Sequence, residues 1–195
     1  MKLVKDIDNA FVSDMVNTAI SYIGNILDSL EIRLGDEDYV LVDGRMAVVS
    51  ISRNNQFVAE NDKDGIGVLV MKRILSLRSP GPLSEILADR EIIRLGLSDK
   101  LLYYYYALLY SQRRISSVED FVQMNVPWLS FHPHDKNNAQ LLKELAERLC
   151  MPEHRKEFEA ATERLFALLQ KNLYTEKAIM EAEEEWTSAI AKYRE

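Results

Sequence analysis

The sequence predicts a mostly helical α+β protein. Between residues 39 and 60 the apolar residues alternate with period two around Asp43-Gly44. Almost everywhere else they recur at helical spacing. The longest such region, 64–111, reads as three consecutive helices apolar on more than one face. At 195 residues and 47% hydrophobic, the chain can bury a real core. The expected arrangement is an α+β core over 1–130 with a helical extension, 131–195, packed on it as a hairpin or bundle, either as two units or as one domain overall.

Asp6 or Asp8 is positioned to cap a first helix running to about Leu30, with Phe11, Met15, Ala19, Tyr22 and Ile26 on its apolar side. Strands over 39–42 and 45–52 then flank Asp43-Gly44, a type I′ hairpin signal. Asn54-Asn55 suggests a second turn into a third strand over 56–60, completing an antiparallel meander. Asp64 caps the next helix, to about Arg78, and Pro80-Gly81-Pro82 stops it. Ser84 caps a helix to about Leu95. Gly96 suits the left-handed position after it, and Ser98 opens the helix containing Tyr103-Tyr104-Tyr105-Tyr106. Four consecutive helical residues sweep most of the way round the axis. Tyr105 therefore joins Leu101, Leu108 and Leu109, while Tyr103, Tyr106 and Tyr110 form a second face that suits a protein partner. A short helix over 118–124 follows, broken at Pro127, with Trp128, Leu129 and Phe131 in an irregular segment. Helices from Asp135 or Asn137 to Cys150, from Pro152 to about Gln170, and over 175–193 complete the chain, with a break at Asn172.

A net charge of −7 without a basic stripe argues against nucleic-acid binding. One cysteine, Cys150, fits a reducing compartment, and no apolar run approaches the length of a membrane span. The expected location is the cytoplasm. No Gly-rich phosphate loop and no Cys-x-x-Cys motif is present.

Glu85-Ile86-Leu87-Ala88-Asp89 places two carboxylates at i and i+4, on one helical face. Read alone, this is an ordinary solvated or ion-paired face. Strands, then an apolar helix, then a helix carrying ExxAD resembles the gluzincin metallopeptidases. The resemblance covers about 39–110 and implies a zincin-like scaffold. In that family the first helix carries HExxH, whose histidines bind zinc and whose Glu is the general base, while the second helix gives the third ligand. Here Val68-Leu69-Val70-Met71-Lys72-Arg73-Ile74-Leu75 stands in that place. Met71 and Leu75 fall in the histidine slots and Lys72 in that of the base. A register one residue earlier puts Val70, Met71 and Ile74 there. Only Glu85 and Asp89 match, so the resemblance implies a vestigial site, with Lys72, Arg73 or Arg90 neutralising the carboxylates.

His132-Pro133-His134-Asp135, with His154 further on, offers a second chemistry. Imidazoles and a carboxylate in such a cluster bind transition metals. The bland alternative is a surface loop that caps the following helix. Cys150 reads as packing. Three functions follow: a non-catalytic zincin-like protein acting through protein contacts, with no cofactor; a metal-dependent enzyme using 132–135; or a helical interaction module. A homodimer is expected, because the tyrosine helix has two apolar faces and one exceeds what a single domain covers.

Overall fold

A mixed four-stranded sheet organises the N-terminal part of the chain, where the sequence predicted a three-stranded antiparallel meander. The computed structural model describes residues 2–5, 10–23, 26–78, 81–111, 115, 117–171, 173 and 175–191. The caps expected at Asp6 or Asp8, the stop at Pro80, the break at Asn172 and the end at Tyr193 lie outside these residues. The protein is a mostly helical α+β fold.

Strand β1 (Lys2–Lys5) leads through helix α1 (Ala10–Ile23) to β2 (Ser29–Gly35), which lies parallel to it. The first helix thus ends at Ile23, and Leu30 belongs to a strand. Leu30 and Ile32 alternate inward, a period-two signal that the helical spacing of Ile26 and Leu30 obscured. Strands β3 (Tyr39–Asp43) and β4 (Met46–Ser52) form the expected antiparallel hairpin. Its two-residue turn is Gly44-Arg45, and of the two only Gly44 has positive φ, at 56°. That is the pattern of a type II′ turn, not the I′ turn expected at Asp43-Gly44. β4 inserts beside β2 in parallel, giving the order β1-β2-β4-β3.

The third strand expected over 56–60 is a helical turn, α2 (Gln56–Ala59). Asn55 caps it by accepting from the Phe57 amide at 3.0 Å, a local bond that favours the helical start over a strand. Helix α3 (Lys63–Leu75) is capped by Asp62, not Asp64. It packs against α1 and β4. Gly67 permits the close approach to α1, since a Cβ there would meet Phe11 at 2.8 Å.

Helix α4 (Pro82–Arg94) begins with proline in its first turn, after Gly81, so Ser84 is inside the helix rather than its cap. Gly96 has φ +82° after it, as expected. Helix α5 (Ser98–Ser111) carries the tyrosines. Helix α6 (Val118–Phe131) runs on through Pro127, so Trp128, Leu129 and Phe131 are helical, not irregular. The proline lacks the N–H that would reach the Gln123 carbonyl. Burial of Phe121, Leu129 and Phe131 against neighbouring helices holds the segment helical nonetheless. Helices α7 (Lys136–Leu149) and α8 (Arg155–Leu168) pack on α6, and α9 (Glu176–Ile190) lies against both α8 and α4. One continuous apolar cluster runs from Val12 to Trp186. Among the described residues, no helix is long and apolar enough to cross a membrane.

Candidate functional site: a buried lysine between two carboxylates

Helix α3 is apolar nearly all round, so a charged residue on its inner face must find charged partners. Lys72 is that residue, 2% exposed. Its ammonium lies 2.7 Å from Asp89 Oδ1, 2.9 Å from the Tyr105 hydroxyl and 3.5 Å from Glu85 Oε2. The i,i+4 spacing places Glu85 and Asp89 on the face of α4 that meets α3. Asp89 is fully buried, whereas Glu85 stays partly open to solvent.

Asp89 collects donors from three other helices. Besides Lys72 of α3, the Tyr105 hydroxyl of α5 donates to its Oδ2, and Ser130 Oγ of α6 lies 2.8 Å from the same oxygen. Ser130 is also 2.8 Å from the Val126 carbonyl, so its single proton serves both acceptors in alternation. Neither Tyr105 nor Ser130 was legible as a site residue. Tyr105 read as apolar core, and a serine beside an expected break at Pro127 gave no signal.

The groups of the network shift one another's protonation. Burial disfavours the Lys72 ammonium, but Asp89 and then Glu85 raise its pKa above the ordinary lysine value. Burial pushes Tyr105 well above the ordinary phenol range, and Asp89 adds to the shift. Burial also raises Asp89, opposed by Lys72, Tyr105 and Ser130. Lys72 is thus held as the ammonium and Tyr105 as the phenol at neutral pH. Met71 and Leu75, expected in the vestigial site, are buried in the apolar core.

A cleft of about 230 Å³ opens beside this network, lined by Arg73, Glu85, Tyr104 and Gln123 along with Lys72 and Tyr105. A second charged device caps α4. Glu183 of α9, 6% exposed, accepts from the Ser84 amide at 3.0 Å and also from the Leu83 amide. Burial raises its pKa to about 7 against the pull of those amides, and Glu85 pushes the same way. Gly81, at φ +140°, leaves the room, since a Cβ there would collide with the Glu183 carboxylate. Within its Glu-rich helix, Glu183 had no distinguishing sequence mark.

The histidine segment is not gathered around one point. Asp135 caps α7, accepting from the Asn137 and Asn138 amides at 3.1 and 3.0 Å. The His132 ring packs edge-on against Phe166, and His154 stacks on Phe158 beside Glu157. Burial, then Arg90, lowers the His134 pKa. Among the described residues no group of three or more His, Cys, Asp or Glu is arranged to hold a metal ion. Cys150 is buried, and burial pushes its thiol up, away from nucleophilic character.

The tyrosines separate. Tyr103 donates to Glu60 at 2.7 Å at the α2 end of α5. Tyr106 and Tyr110 stack on each other at 6.4 Å and line a groove of about 420 Å³ between α5 and α7, with Leu141, Glu144, Leu145 and Arg148. Compared with known proteins, the chain matches no family, no curated relative and no solved structure.

Proposed function

We propose that this chain is a non-catalytic protein on a zincin-like scaffold, acting in the cytoplasm through protein contacts. One observation carries the proposal. Beside Glu85, which in a metal-dependent relative would be a ligand of the cation, stands the Lys72 ammonium, already surrounded by three oxygen partners. The contact surface is the groove of Tyr106, Tyr110, Leu141 and Leu145. Tyr110 is 73% exposed and Leu141 50% exposed, which is unusual for large apolar side chains lying side by side. Glu144 and Arg148, one turn apart on its rim, are self-complementary about a two-fold axis. The partner is therefore a second copy of this chain.

Two measurements test the proposal. Protein supplemented with zinc binds none stoichiometrically and cleaves no peptide; stoichiometric zinc with activity lost in Glu85→Gln contradicts the first half. Light scattering gives a dimer mass for the wild type and a monomer for Tyr110→Glu and Leu141→Glu, which raises the dissociation constant about 100-fold or more. A wild-type monomer at high concentration contradicts the second half.

A further inference from the structure

We propose that the cleft beside Lys72 binds a small zwitterion of the α-amino-acid class, its carboxylate on the Arg73 guanidinium and its ammonium on Glu85. The charges of the cleft decide the class. Lys72 and Asp89 neutralise each other at 2.7 Å inside the core. Arg73 and Glu85 remain, one cation on α3 and one anion on α4, both lining the same space. Consecutive residues on a helix point about 100° apart, which sends Lys72 inward and Arg73 to the cleft.

Arg73 is half-buried, yet among the described residues its guanidinium makes no hydrogen bond and no ion pair. The Tyr104 hydroxyl and the Gln123 amide, also in the lining, make none either. Among the described residues Glu85 has one ion-pair partner, Lys72 at 3.5 Å, with Arg73 and Glu183 acting on it from further off, which leaves acceptor capacity free. A guanidinium fork takes a carboxylate through two parallel bonds. Tyr104 and Gln123 add donors beside it, and Glu85 takes the ammonium. Leu108, Met124 and Val126 supply an apolar wall for a side chain. A dianion such as phosphate would set its second charge against Glu85, and a simple amine would face Arg73. The volume of about 230 Å³ lies below that of pockets for drug-sized molecules and suits a single small residue.

The test is calorimetric titration of the full chain with leucine, methionine, valine and glycine. Parallel titrations use N-acetyl-leucine, which lacks the ammonium, and leucine methyl ester, which lacks the carboxylate. The expected result is saturable binding of an apolar amino acid, weakened about tenfold or more by masking either charge. Arg73→Gln and Glu85→Gln weaken it to a similar degree, with circular dichroism confirming that both variants are folded. Absence of saturable binding to the wild type overturns the proposal. So does binding that survives both masked ligands. The masked ligands are read on the wild type alone, so the test stands even where a variant loses its fold.

Discussion

Lys72→Met lowers the unfolding free energy by about 3–5 kcal/mol at pH 7, the usual effect of removing one partner from a buried ion pair. The substitution keeps the side chain's length and removes its charge. Asp89, fully buried, is left with only two neutral hydroxyl donors, Tyr105 and Ser130. Its carboxylate is then too costly to bury and takes up a proton. A folded-state pKa above the unfolded value means stability that is present at low pH and lost as pH rises through it. The deficit of Lys72→Met therefore shrinks in acid. Lys72→Met combined with Asp89→Leu recovers much of the loss, because no uncompensated charge remains. Urea unfolding of the single and double variants checks this. A loss below about 1 kcal/mol in Lys72→Met would show that the ammonium is not what holds α3, α4, α5 and α6 together.

Glu183→Gln has the opposite sign, and its effect builds up between pH 4.5 and about 7 and stays level above that. The Glu183 pKa rises from 4.5 in the free side chain to about 7 in the folded protein. Below pH 4.5 the carboxyl is protonated in both states, and its contribution to stability is fully present. That contribution fades as pH rises above 4.5, where the unfolded carboxyl ionises first, and the loss is complete once the buried group ionises at about 7. Glutamine mimics the protonated acid and still accepts from the Ser84 amide. Wild type and variant therefore match below about pH 4.5, and the variant is more stable by about 3 kcal/mol from about pH 7 up to pH 8.5. Thermal unfolding across that range reads the difference. Parallel curves would contradict a buried, ionising Glu183.

The sequence was most legible where one force dominated. The wide apolar stripes of α3 and α5 have few alternatives to burial, and the Asp43-Gly44 signal located the hairpin. Failures came where local and tertiary signals competed. Leu30 fits both the helical spacing from Ile26 and the alternation of β2, and pairing with β4 decided for the strand. Pro127 reads as a break, but tertiary burial carries α6 through it. The neutralisation of Glu85 and Asp89 by a neighbouring cation was expected only through the gluzincin resemblance, with Lys72 among three candidates. The partners Tyr105 and Ser130 are 16 and 41 residues from Asp89, so only the packing of α5 and α6 brings them to it. Glu183 is further still, 99 residues from the Ser84 amide it caps.

Lys72 joins the helices as a lasting cation rather than as a reactive amine. Nitrogen and carbon NMR of the lysine side chains across pH tests this most directly. The expected result is a Lys72 resonance that stays in its ammonium position past pH 10.5, with protons slow to exchange with water. A Lys72 that loses its proton near neutral pH would be a poised base or nucleophile, and would contradict the structural role assigned to it.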